Sequence, residues 1–195
     1  MRLEVLEHGH RLPARVFQRV AASLLGAEVD DVVKTMMHRP EFFGRHLNRY
    51  VNQVLRGPSY WTAGEREYMA AITSGLNECL FCATAHSETT RVESRGELDV
   101  SDDTTPRPQL TATCDLLAKI THTPDEVTKA DIDVVRATGV PDDAIVDALH
   151  VNLIFNLVNR LANTFGWSWD SETQIRKAAQ VIHLSRYKLP GFVLR

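Results

Sequence analysis

The sequence predicts an all-α fold, and three observations carry that expectation. Apolar residues recur at three- and four-residue steps along most of the chain. The segments with that period begin at residues such as Thr62 and Thr128 and stop at glycines such as Gly26, Gly57 and Gly139. No alternating β-branched run is bounded by hairpin turns. With 195 residues, 44% hydrophobic and 24% charged, the chain is long enough to bury a real core.

Taken in order, Pro13 fits a first helical turn, and "ARVFQRVAASLLG" runs at helical spacing to Gly26. "EFFGRHLNRYVNQVLRG" repeats that design and ends at Gly57-Pro58. Thr62 to Glu65, "TAGE", reads as a capping box opening a helix to about Glu78. The cysteine-bearing segment starts another helix, to about Ser94. "ESRGELDVSDDTTPRPQ" is acidic and proline-punctuated and reads as the longest loop. "QLTATCDLLAKIT" is helical, and "TKADIDVVRATG" follows, with Thr128 as cap and Gly139 as terminator. Pro141 opens the longest helix, and a last one is expected from about Ser171 to Tyr187. The expectation is a single helical domain over 1–195, with a cysteine-bearing half at about 1–94, the loop at about 95–108 and a C-terminal half at about 109–195. Each half holds a helical hairpin with one long apolar member, a pattern compatible with a diverged duplication.

Composition narrows the function classes. A net charge of -3 gives no basic footprint, so no nucleic-acid partner is expected. No segment approaches the roughly 18 uncharged apolar residues of a membrane helix. The first residues lack an apolar run of signal-peptide length, so a soluble cytoplasmic protein is expected. Three cysteines, Cys79, Cys82 and Cys114, do not make a disulfide framework.

The stretch "NECLFCATAH" concentrates the chemistry. On a helix Cys79, Cys82 and His86 stand at i, i+3 and i+7, within about 60° of one another on one face. Near a helix start, backbone N–H groups and the macrodipole favour a thiolate, the reactive form of cysteine. His86, one turn beyond Cys82, can exchange protons with it. Cysteines at this spacing can also close a disulfide. Zinc is a rival, because the pair and the histidine offer three ligands, but no second Cys/His knuckle supplies a fourth. A purely structural role is the other rival, and a thioredoxin fold fails because a helix, not a strand, precedes the pair. A carboxylate to orient His86 is available on the preceding helix at Glu65, Glu67 or Glu78. Glu65 follows the stripe of Met69, Ile72 and Leu76; Glu67 follows the small residues Ala70, Ala71, Ser74 and Gly75. Periodicity does not choose between them.

The run from Glu67 to His86, "EYMAAITSGLNECLFCATAH", resembles the Glu-x11-Cys-x2-Cys-x3-His signature of the alkylhydroperoxidase D family, in the carboxymuconolactone decarboxylase superfamily. The acidic loop and "AIVDALHVNLIFNLVNRLANTFG" look like its peroxidase-related branch, and the likeness spans about 15 to 185. The resemblance implies Glu67 as the carboxylate, Cys82 as the peroxide-attacking thiolate, and Cys79 as resolving cysteine and proton donor, with His86 and Glu67 as the proton relay. It further implies a hydroperoxide substrate, a dithiol or thioredoxin-like reductant and no metal or organic cofactor. It also implies an all-α homo-oligomer, commonly trimeric or hexameric, with a dimer as the smaller alternative. Where well-characterised members carry a histidine just before the second cysteine, this chain has Phe81, which makes the pocket more apolar. The intact cysteine pair argues against decarboxylase chemistry.

The remaining notable residues read as structural. His150, Asn156, Asn159 and Arg160 lie on the long apolar helix and need polar partners, with Arg160 expected to pair across a helix interface. Trp61, Trp167 and Trp169 are expected to seal the core or a subunit contact. Cys114, spaced with Leu110 and Leu117, reads as a small buried hydrophobe. "HGH" near the N-terminus is too isolated to claim a metal.

Overall fold

A computed structural model describes residues 1–101 and 106–194, and among these there is no strand. Part of the acidic loop, 102–105, lies outside the described residues, as does position 195. The helices are α1 (Glu4–His8), α2 (Leu12–Leu25), α3 (Asp31–His38), α4 (Arg45–Arg56), α5 (Ala63–Leu76), α6 (Leu80–Glu93), α7 (Pro108–His122), α8 (Lys129–Ala137), α9 (Asp142–Phe165) and α10 (Glu172–Ser185).

Their ends follow the local chemistry. Pro13 sits in the first turn of α2, and Gly26 closes that helix in the left-handed region, where a glycine is unstrained. Thr62 and Glu65 form the expected capping box on α5: Thr62 Oγ1 accepts from the Glu65 amide, and a Glu65 carboxylate oxygen accepts from the Thr62 amide. At α8 the Asp131 carboxylate takes the Thr128 amide and hydroxyl together.

Three differences from the sequence reading have physical causes. The helices α1 and α3 were not anticipated; both are short, and α3 depends on Asp30, whose carboxylate accepts from the Val33 amide. "EFFG" is not the start of α4 but a π-helical turn, Pro40–Gly44, in which a Cβ on Gly44 would overlap the Met36 backbone. Finally α10 ends at Ser185, because Arg186 and Tyr187 both take positive φ, 54° and 65°.

The core draws on both sides of the loop. Leu55 and Trp61, Met69 and Ala70, Leu110 and Leu117, and Val151 and Ile154 pack in one buried cluster. Burial of such side chains stabilises by about 1.5–3 kcal/mol each. Three residues, Asn77 to Cys79, connect α5 to α6, with Glu78 at φ 52°, and the two helices pack closely along their length. On this hairpin α9, α7 and α4 pack against α5, and α10 lies against α6. The α5–α6 hairpin is therefore held from several sides, which fixes the residues it carries. Trp61 Nε1 donates to the Ala144 carbonyl at 2.7 Å, tying the start of α5 to α9.

Candidate functional site

Cys79 is the N-cap residue of α6, and Cys82 stands in the first turn of that helix. Both thiols are free and buried. They hydrogen-bond each other, which pulls Cys79 below its ordinary value, helped by the Cys82 backbone amide, and pushes Cys82 well above it. The hydrogen bond thus favours loss of a proton from Cys79 over loss from Cys82. Burial pushes Cys114 up to about 12, and this thiol sits in the core near Leu110 and Leu117, as expected of a small hydrophobe.

One turn further along α6, the His86 ring meets Glu67 of α5, with Nδ1 2.6 Å from Oε2. Glu67 is fully buried and makes four close contacts. Arg56 Nη2 reaches Oε1 at 2.7 Å, and the Tyr187 hydroxyl donates to both carboxylate oxygens, at 2.8 and 3.0 Å. Burial alone would push this carboxyl up. The hydrogen bond and charge of His86, the Arg56 guanidinium and the Tyr187 hydroxyl outweigh it and hold Glu67 below the usual carboxylate range. Arg56 also donates to Glu93 Oε1 at 2.8 Å, and its guanidinium lies 4.9 Å from the centre of the Tyr187 ring. With Nδ1 engaged by Glu67, the ring nitrogen left to His86 for proton exchange is Nε2.

The site opens on a cavity of about 190 Å³, whose walls are overwhelmingly apolar. Cys82, His86 and Tyr187 line it; Cys79 does not. Phe81 stacks on Trp169, with ring centroids 4.3 Å apart, and meets Trp167 edge-on at 5.6 Å. Its carbonyl accepts from Trp169 Nε1 at 2.9 Å. An aromatic wall thus stands beside Cys82, in keeping with the more apolar pocket expected from Phe81. Phe155 of α9 closes on His86 edge-to-face at 4.3 Å, and α2 and α10 complete the enclosure with Phe17, Val181 and Ile182.

The other carboxylates go elsewhere. Glu65 is taken by its own cap and by Arg107, at 2.5 Å, and Glu78 is exposed. Among the described residues no group of three or more His, Cys, Asp or Glu side chains is arranged to hold a metal ion. Nor is any helix there long and apolar enough to cross a membrane.

Comparison with solved structures gives two close matches in fold. One is an uncharacterized peroxidase-related protein from Silicibacter sp. TM1040, at a TM-score of 0.73 and 24% identity, covering 89% of this chain and 93% of that one. The other is described as an alkylhydroperoxidase AhpD core, an uncharacterized peroxidase-related protein from Ralstonia eutropha JMP134. It matches at a TM-score of 0.72 and 27% identity, over 91% of this chain and 96% of that one. The fold is alkylhydroperoxidase D-like. No protein-family model matches its sequence, and no curated protein does either.

Three parts of this site escaped the sequence reading: Arg56, Glu93 and Tyr187. Arg56 precedes Gly57 at a helix end and looks like a solvated terminal charge, and Tyr187 lies 120 positions from the carboxylate it binds. Neither has a periodic signal. One expectation is corrected: Arg160 does not pair across an interface but is exposed, and its Nη1 donates to the Asn156 carbonyl of its own helix. His150 is also exposed and pairs with the Tyr50 hydroxyl at 2.5 Å.

Proposed function

We propose that the chain is a thiol-dependent peroxidase that reduces organic hydroperoxides through Cys82, with Cys79 as the resolving cysteine. The observation that carries this reading is the cavity wall, where Cys82 and His86 face the same apolar space while Glu67 holds the ring from behind. Through the hydrogen bond between the two sulfurs, the Cys82 proton passes to the Cys79 thiolate, leaving a thiolate on the cavity side. That sulfur attacks the distal peroxide oxygen. The O–O bond breaks, the leaving alkoxide takes a proton from Cys79 or His86, and Cys82 becomes a sulfenic acid. The Cys79 thiolate then displaces hydroxide, which takes a proton from solvent and leaves as water, and the Cys79–Cys82 disulfide forms. A dithiol or thioredoxin-like protein returns two electrons and two protons by exchange.

The aromatic wall of Phe81, Trp167 and Trp169 favours a hydroperoxide with an apolar body over hydrogen peroxide. Regeneration of the dithiol suits a reducing, cytoplasmic compartment. A homo-oligomer belongs to the same reading, supported by apolar side chains left open near the site: Leu80 is 80% exposed, Leu153 57% and Leu157 51%. Sedimentation as a monomer at working concentration would remove that part. The chemistry is tested with Cys82→Ser, which should abolish consumption of cumene hydroperoxide with dithiothreitol as reductant, along with dimedone labelling. Labelling that persists, or moves to Cys114, overturns the assignment.

A further inference from the structure

Beyond the pair and its relay, the turn after α10 carries an arrangement that packing alone does not require. Arg186 and Tyr187 are consecutive non-glycine residues in the left-handed region, a conformation that side chains disfavour. Helix α4 holds them there. Asn52 Nδ2 donates to the Arg186 carbonyl at 2.5 Å and Asn48 Nδ2 to the Tyr187 carbonyl at 2.5 Å, while Arg186 Nη2 donates to the Arg56 carbonyl at 2.7 Å. Asn48, Asn52 and Arg56 stand at i, i+4 and i+8, so one face of α4 grips the turn and also supplies the cation for Glu67. The product of this grip is one buried hydroxyl bridging both oxygens of Glu67.

We infer that Tyr187 is a positioning residue of this site: its hydroxyl, held in place by the α4 clamp, limits how strongly Glu67 draws a proton onto His86. This rests on the relay reading above. A carboxylate that accepts more hydrogen bonds is a weaker base. Tyr187 takes up acceptor capacity on the same oxygen, Oε2, that faces His86 Nδ1. The charged and titratable groups joined to the ring's network are Glu67 of α5, Arg56 of α4, Glu93 of α6 and Tyr187, and Cys82, Glu28, Asp30 and Lys177 line the same cavity as the ring. From α10, His183 Nδ1 lies 3.3 Å from Glu93 Oε1, while the α9 neighbour, Phe155, is apolar. Loss of the hydroxyl leaves Glu67 a stronger acceptor, so a positively charged His86 is favoured, and a positive ring stabilises the thiolate of Cys82.

The test is the rate of iodoacetamide alkylation at Cys82 against pH, read by peptide mass spectrometry on the full chain. Tyr187→Phe keeps the ring and should move the midpoint to lower pH by about half a unit, a fraction of the roughly one to two units that one lost hydrogen bond to a charged group is worth at Glu67 itself. Asn52→Ala, which touches neither Glu67 nor His86, should move it the same way by less. It decides the matter if Tyr187→Phe does not fold. Glu67→Gln should move the midpoint upward. If Glu67→Gln moves it while Tyr187→Phe lowers only the melting temperature, Tyr187 is packing and the inference fails alone. If Glu67→Gln leaves it unchanged, the relay itself fails, and the inference with it.

Discussion

Among the described residues, two of the buried polar networks are built on opposite principles. Around Glu67 the network is centred on ionisable groups: two carboxylates and a guanidinium, with an imidazole and a phenol, drawn from α4, α5, α6 and the turn after α10. Along the seam of α9 with α5 and α7 they are neutral. Asn152 Nδ2 donates to Thr73 Oγ1 at 3.2 Å and Thr121 Oγ1 at 2.9 Å, and Asn156 Nδ2 to Asn152 Oδ1 at 2.9 Å. Asn77 Nδ2 donates to Asn156 Oδ1 at 3.1 Å, and Ser74 Oγ to Asn159 Oδ1 at 3.2 Å. The amide network joins helices and has no member on the cavity wall. The charged one is bordered by His86 and Tyr187 on that wall. Neutral amides are enough to fix helix register. Buried charge is costly to desolvate, and on the proposed mechanism it stands here where a proton is moved.

The comparison breaks if the two networks respond alike to loss of one member. The largest effect is expected for Arg56→Met, which leaves Glu67 and Glu93 without their shared cation and should destabilise by about 3–5 kcal/mol in urea unfolding. The same variant sharpens the acid behaviour. Glu67 has a folded value below its ordinary 4.5, so its contribution is fully present above 4.5 and is lost as pH falls through the lower folded value. Without Arg56 the folded value rises, so the acid loss of stability should begin at higher pH; an unchanged acid limb would show that the guanidinium does not hold the carboxylate ionised. Asn152→Ala should cost less, about 1–3 kcal/mol, by leaving Thr73 and Thr121 short of a partner. It should also leave the alkylation profile of Cys82 in place. A shifted profile there would mean that the two networks are coupled.

Much of the fold was legible from local signals. The Thr62–Glu65 box, the Thr128 cap, the Gly26 stop and the 3.6-residue period need only neighbouring residues, and each stands where it was expected. The π-turn at Pro40–Gly44 was not legible, because its cause is the approach of Met36 to Gly44 across a bend. Within the site, the likeness in "NECLFCATAH" and the twelve-residue step back to Glu67 named four residues, and the structure brings Glu67 to His86 and Cys79 to Cys82. The stripe of small residues expected beside Glu67 is only partly interior: Ala70, Ala71 and Ser74 are buried, while Gly75 faces open space.

The sequence by itself determined most of the longer helices, with several of their caps and stops, and the short run in which the cysteine pair stands near His86, because caps, periods and i, i+3, i+7 spacing act within a few residues. Only the tertiary structure decided which sulfur faces the cavity, and that Arg56 and Tyr187 keep Glu67 ionised. Those outcomes depend on burial and on electrostatic partners brought from distant parts of the chain. Neither desolvation nor Coulomb attraction leaves a mark on local sequence order.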